Sequence, residues 1–303
     1  MRTELLACMT LLVGVAAGCA RASCARAPLA VQVLGSGGPI PDDARASSAY
    51  LIWHEGRARV MIDAGGGSFV RFGEAGARIE DLDLVGLSHL HVDHTGDLPA
   101  LLEGGFFSER ARPLIVTGPE GGGKFPGIEQ WLELELGPAG AYRYADWLLE
   151  PGARAWHLDV RELDRGPGAS SQLQLDGIEL RAMGVEHGPV PALAYRVEIA
   201  GRAIVFGGDQ NGDVEAFVDF ARGADLLIMH HAVGEEPDAV AAKLHAKPSE
   251  IAAIAHAAQA ETLVLSHHMA RSLRELSRSR ETITTLYDGQ LEVAEDLACY
   301  PLQ

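Results

Sequence analysis

Lysine is nearly missing from the chain, with Lys124, Lys243 and Lys247 its only three occurrences in 303 residues. Arginine brings the basic count to 25 against 42 acidic residues, a formal net charge of −17. Such a surface repels phosphate, so it speaks against long nucleic acid as a partner, where phosphate neutralisation supplies most of the affinity. Cysteine occurs four times and never as a CxxC pair, which speaks against a thiolate zinc site. No apolar run reaches the roughly 18–20 residues that a spanning helix needs. The remaining composition, 47% hydrophobic and 22% charged, is that of a globular protein and excludes a disordered or collagen-like chain.

Residues 1–18 combine Arg2 with a short apolar core and small residues, the pattern of a secretory signal. Ala16-Ala17-Gly18-Cys19 resembles a lipoprotein cleavage box, in which Cys19 would take a lipid. Ala20-Arg21-Ala22 and Ala25-Arg26-Ala27 fit ordinary signal cleavage instead. Both alternatives predict export, to the periplasm or to a lipid-anchored position at the cell envelope, with membrane contact only through the lipid. Residues 19–28 read as a linker and 29–303 as the folded domain. With Cys8 in the signal and Cys19 lipidated, Cys24 and Cys299 remain as a pair that an oxidising compartment would allow to bridge.

Beyond the linker, short apolar runs alternate with turn signals. Strands are expected at Leu29–Gly35, Ala49–His54, Arg59–Asp63, Leu84–Ser88, Leu114–Thr117, Leu173–Gly184, Ala192–Ile199, Ala203–Phe206, Leu226–Met229 and Thr262–Ser266. Helical spacing marks Leu98–Phe107, Ile128–Glu135, Val214–Arg222 and Ser249–Ala260. This order predicts an α/β protein built of sheet layers with helices outside.

The densest chemical signal is SHLHVDHTGD, which sets His89, His91, Asp93 and His94 within six residues, directly after a strand. Imidazole and carboxylate suit zinc and its neighbours. His187, Asp209 and His267 each follow an apolar run, as His89 does, at the carboxyl ends where α/β sheets gather ligands.

VQVLGSGGPIP, RVMIDAGGG and SHLHVDHTGDLPALL make the chain resemble the metallo-β-lactamase superfamily, most of all its ribonuclease Z and arylsulfatase-like branch. The resemblance implies a four-layer αββα sandwich of two mixed β-sheets with outer helices. It also implies two divalent ions, zinc first, with manganese or iron as alternatives, and it admits a dimer. By this resemblance His89, His91 and His187 hold the first ion, Asp93, His94 and His267 the second, and Asp209 bridges. His245, in LHAKPSE, matches the general-acid histidine of the branch. Asp63 is a candidate carboxylate behind a ligating imidazole. Among the remaining histidines (His54, His157, His230, His231, His256 and His268), His231 is singled out for the same supporting role.

Departures from the family narrow the reading. No cysteine stands at the second ion, and His91 occupies a place where di-iron redox relatives have Glu. Only 21 residues separate His187 from Asp209, too few for the tRNA-gripping arm of the branch. The family's His-Glu becomes His230-His231. Two ions about 3.5–4 Å apart would supply hydroxide at neutral pH, oriented by Asp93, with His245 protonating the leaving oxygen. The expected function is therefore an exported hydrolase of a small ester, either phosphodiester or sulfate ester, with no long nucleic acid as substrate. Lactone or β-lactam hydrolysis, and metal binding without catalysis, are the alternatives. The aromatic stretch containing Phe106, Phe107, Phe125, Trp131, Tyr142, Tyr144, Trp147 and Trp156 reads either as helix packing or as a cap over the ions.

Overall fold

The computed structural model describes residues 24–303; residues 1–18, expected to be a signal, and Cys19 lie outside them. In chain order the strands are β1 (Leu29–Gly35), β2 (Ala49–His54), β3 (Arg57–Ile62), β4 (Leu84–Gly86), β5 (Leu114–Pro119) and β6 (Leu158–Leu163). There follow β7 (Ser170–Leu175), β8 (Ile178–His187), β9 (Val190–Ile199), β10 (Arg202–Phe206), β11 (Leu226–His230), β12 (Thr262–Ser266), β13 (Gln290–Val293) and β14 (Cys299–Pro301). They form two seven-stranded sheets, ordered β14-β1-β2-β3-β4-β5-β6 and β13-β12-β11-β10-β9-β8-β7. In the first sheet β3, β4, β5 and β6 are mutually parallel, and in the second β10, β11, β12 and β13 are; the other pairs are antiparallel.

Alternation along the strands builds the layers. In β3, Val60 and Ile62 face the opposite sheet while Met61 faces outward; in β10, Ile204 and Phe206 face inward and Val205 outward. Both faces are buried, which is why these strands read as continuous apolar runs. Phe72, Leu98, Leu101, Leu102, Ile128 and Leu132 from the helices Ser68–Glu74, Leu98–Gly104 and Ile128–Leu136 cover the first sheet. Phe217, Phe220, Ile251, Ala255 and Ile283 from the helices Ala216–Phe220, Pro248–Ala257 and Leu276–Leu286 cover the second. The result is the expected four-layer αββα sandwich. Tyr195, buried between the sheets, donates its hydroxyl proton to the Leu87 carbonyl at 3.0 Å and lies 3.1 Å from Thr117 Oγ1. That contact fixes the end of β4, from which the histidine motif departs.

The structure departs from the predicted elements in several ways, and the helices Ser68–Glu74 and Leu276–Leu286 are among those not expected. The run Leu173–Gly184 is a hairpin of β7 and β8, because Asp176-Gly177 turns the chain and Gly177 takes φ +69°, a left-handed value open to glycine. The sequence also misses β6, β13 and β14; of these, β6 and β14 are sheet edges with half-polar patterns, and β13 is a four-residue edge strand, so apolar periodicity carries little signal there.

Cys24 and Cys299 form a disulfide with Cα atoms 5.6 Å apart, tying the turn before β1 to β14. A bridge closing so long a loop typically stabilises by about 2–4 kcal/mol. Cys299→Ser, or treatment with a thiol reductant, should therefore lower the denaturant midpoint of the protein. An unchanged midpoint would show that the bridge contributes nothing in solution.

Candidate metal centre

The directions of the strands bring the donors together. Since β8, β10, β11 and β12 run the same way in one sheet, and β3 and β4 in the other, their carboxyl ends can meet at one rim. Asp63 follows β3 and His89 follows β4. His187 ends β8, Asp209 follows β10, His230 ends β11 and His267 follows β12. His91 caps the short helix Val92–Thr95, which carries Asp93 and His94. Gly208, at φ +63°, sits where a Cβ would strike the Leu193 carbonyl, so only glycine lets the chain deliver Asp209 here.

Every residue that the sequence assigns to the ions reaches this rim. His89, His91 and His187 form one triad, Asp93, His94 and His267 another, and Asp209 joins further groups with His89 and His94, His187 and His245, and His230 and His267. Within each group the donor atoms lie within 4.8 Å of one another. Asp209 is central: His187 Nε2 and His267 Nε2 stand 3.4 Å from its oxygens, and His89 Nε2 and His94 Nε2 stand 3.9 Å away. His245 Nδ1 is 4.0 Å from it, and His267 Nε2 is 3.2 Å from Asp93.

The rings are oriented from behind. Asp63 accepts from the Ser88 amide at 2.7 Å, the Ser88 hydroxyl at 2.8 Å and His94 Nδ1 at 2.8 Å. His187 Nδ1 donates to the Leu244 carbonyl at 2.9 Å. Each ring thus turns Nε2 into the cluster, and His94 Nε2 is buried there without a hydrogen-bond partner. A buried imidazole nitrogen without a protein partner, beside carboxylates, fits a divalent cation with nitrogen and oxygen ligands.

His231 turns away from the donors: its Nε2 lies 2.9 Å from Ser279 Oγ and its Nδ1 3.4 Å from His268. The supporting imidazole is His230, whose Nδ1 donates to Asp209 at 2.6 Å, with the Tyr50 hydroxyl 3.2 Å from its Nε2. The sequence reading leaves His230 among the histidines taken as structural or supporting, and singles out His231 instead.

Charge follows the geometry. Burial pushes the Asp209 carboxyl up, but the facing His267, His245 and His187 outweigh it and hold it well below the usual range. Burial likewise opposes the ionised Asp93, and His94 and His267 prevail. Burial takes His89 well below its ordinary value, and holds His230 down at about 4 and His245 at about 3. His89, His230 and His245 are therefore neutral beside the ionised carboxylates. Burial opposes charge on His94 and His267 too, but Asp63 and Asp93 hold His94 well above its ordinary value and Asp209 and Asp93 raise His267, so a cation binding there would displace protons.

A cleft of ≈ 400 Å³ opens over the cluster, walled by Pro39, Val92, Leu244, His245, Met269 and Arg271. Arg271 Nε donates to the Ala232 carbonyl at 2.8 Å, which fixes that side chain. From the aromatic stretch, Phe125 stands 6.1 Å from the His91 ring. Phe106, Trp147 and Trp156 pack on one another, and Arg154 lies over Phe106 and Trp147. Of that stretch Trp156 is buried and Phe125 stands at the site, while Phe106, Phe107, Tyr142 and Tyr144 are exposed.

Comparison with known proteins agrees with this picture. Residues 58–268 match the family model described as "Beta-lactamase superfamily domain". A curated ribonuclease Z of Mycobacterium bovis is 30% identical over 210 residues, spanning 66% of this chain and 69% of that protein. The human short-form tRNase Z structure superposes with a TM-score of 0.70 at 23% identity, covering 90% of this chain and 99% of that one. The Bacillus subtilis metallo-beta-lactamase fold protein YhfI gives 0.69 at 22% identity, covering 91% and 99%. At these identities the solved structures speak for the fold alone. The expectation of a small ester as substrate, with nucleic acid excluded, is overturned: the curated relatives carry the name ribonuclease Z, and a negative surface did not exclude that kinship.

Loss of a carboxylate behind a ligating imidazole typically costs roughly 10–100-fold in metal affinity. Asp63→Ala should weaken zinc binding by about that factor in a chelator competition. Unchanged affinity would remove Asp63 from the centre.

Proposed function

The chain belongs to the metallo-β-lactamase superfamily of hydrolases, and from that premise we propose that it is a dinuclear metal-dependent phosphodiesterase acting on RNA. The observation that carries this reading is the position of Asp209, whose carboxylate lies within 3.4–3.9 Å of histidines from both triads. A buried carboxylate between two sets of donors suits a pair of cations. Zinc is the first choice for such a set, with manganese or iron as substitutes. RNA is favoured because the 30%-identical curated relatives are named ribonuclease Z.

Bound ions would polarise the phosphoryl group and lower the pKa of water. The residues of the chain supply the rest. Asp93, ionised and at the floor of the cleft, accepts a hydrogen bond from the attacking water and orients it. Arg271 offers its guanidinium to the non-bridging phosphate oxygens. His245 rests neutral because burial lowers it to about 3. An anionic phosphate beside it favours its protonated form, which hands a proton to the leaving oxygen. The Cys24–Cys299 bridge supports export to an oxidising compartment.

The test is turnover by the metal-loaded mature protein of precursor tRNA, bis(p-nitrophenyl) phosphate, p-nitrophenyl sulfate, a homoserine lactone and nitrocefin. Both phosphodiesters should be cleaved. His245→Ala should slow RNA cleavage by roughly 10²–10⁴-fold and affect the nitrophenyl ester far less, since nitrophenolate leaves without protonation. Turnover of the sulfate, lactone or nitrocefin in the absence of phosphodiester cleavage would overturn the proposal.

A further inference from the structure

The glycine-rich opening, Gly35-Ser36-Gly37-Gly38, has no part in the chemistry above, yet it packs against a ligand. A Cβ at Gly38 would lie 2.8 Å from His267 Cε1, 3.1 Å from its Nδ1 and 3.3 Å from Met269 Cγ. The His267 ring therefore rests on the bare α-carbon of Gly38. His267 also needs holding, because its backbone has φ +53°, a left-handed value that a residue with a side chain rarely adopts. The two bonds next along the chain come from the same loop: the His268 amide donates to the Ser36 carbonyl at 2.8 Å, and the Gly38 amide donates to the His268 carbonyl at 2.9 Å.

The loop is in turn held from the far end of the sequence. Asp296 accepts from the Ser36 amide at 3.1 Å, the Ser36 hydroxyl at 2.8 Å and the Ala46 amide at 2.9 Å. Arg45 donates to Ser36 Oγ at 2.7 Å and to the Ala294 carbonyl at 3.0 Å, so the clasp is closed from both sides. We propose that Asp296 and Gly38 are positioning residues: Asp296 clamps the glycine loop, and the loop fixes the strained His267 so that its Nε2 meets Asp93 and Asp209. The inference rests on the dinuclear reading and adds to it that the ion shared by Asp93, His94 and His267 depends on a loop that touches no ion itself.

The probe is cobalt(II), titrated into metal-free mature protein and followed by its visible absorption and by the number of ions bound. Thermal unfolding of the metal-free protein runs beside it, as a readout that a general loss of structure would move. The wild type should bind two ions. Gly38→Ala should keep the first and weaken the second by about tenfold or more, the scale on which outer contacts tune metal sites, with an altered spectrum for that ion. Asp296→Asn should weaken the same ion, and it carries the test if Gly38→Ala does not fold. Gly73→Ala, where a Cβ meets nothing within 4 Å, should titrate as the wild type does. A wild type that binds two ions, with both variants binding them within about twofold of it, overturns this proposal alone. A wild type that takes up no cobalt overturns the dinuclear reading and this proposal together.

Discussion

A carboxylate buried to 3% exposure is the constraint around which this molecule is arranged. Asp209 sits at the rim of an apolar sandwich, where an unpaired charge would cost several kcal/mol. The structure meets that cost by aiming imidazoles at it from different strand ends, His230 nearest at 2.6 Å. The same requirement explains the polarity of the rim against the dryness of the rest. Valine, isoleucine, leucine and phenylalanine fill the space between the sheets, and the donors lie just past the strands that carry those residues. Strand direction matters as much as strand composition: had the ligand-bearing strands run in opposite senses, His187 and His267 would lie at opposite edges.

Orientation comes from the protein's own hydrogen bonds. The Asp63 carboxylate and the Leu244 carbonyl each engage one nitrogen of a ring and leave the other turned inward. This fixes tautomer as well as direction, since a nitrogen that donates outward leaves the inner one as a lone-pair donor. His230 belongs to this outer framework, between Asp209 and Tyr50, whose hydroxyl donates to Ser266 Oγ at 2.9 Å. The frame thereby links β2, β11 and β12 across the two sheets behind the donors.

The parts legible in the sequence were those whose signal is local. SHLHVDHTGD concentrates four donors in six residues, and the central strands are apolar on both faces, so both stand out without knowledge of the fold. His187, Asp209, His245 and His267 are individually ordinary, and only a family pattern gathers them. His230 was passed over in favour of His231, although strand alternation contained the answer. Ile228 faces the opposite sheet and Met229 the outer helices. His230 must then share the inward side with Ile228, and His231 falls beyond it toward Ser279. The edge strands β6 and β14 and the short β13 stayed hidden because a short or half-exposed strand needs no apolar run. The clasp of Asp296 on Ser36 spans 260 positions, a distance over which no periodicity speaks.

Net charge is a poor guide to kinship with ribonuclease Z for a physical reason. A total of −17 sums carboxylates over the whole surface, and at physiological salt each is screened beyond about 8 Å. What a phosphate meets is the local field of the cleft, where Arg271 and the cations that the donors are built to hold would outweigh distant carboxylates. The short interval between His187 and Asp209 is a poor guide in the same way. Strands β9 and β10 consume it, which removes room for a gripping arm there, but the donors at the rim converge without one. Bond cleavage depends on the groups at the rim, and those converge in this chain. Surface charge and the short interval therefore bear on how a partner is approached and held, while the chemistry open to the chain is set within the few ångströms around Asp209.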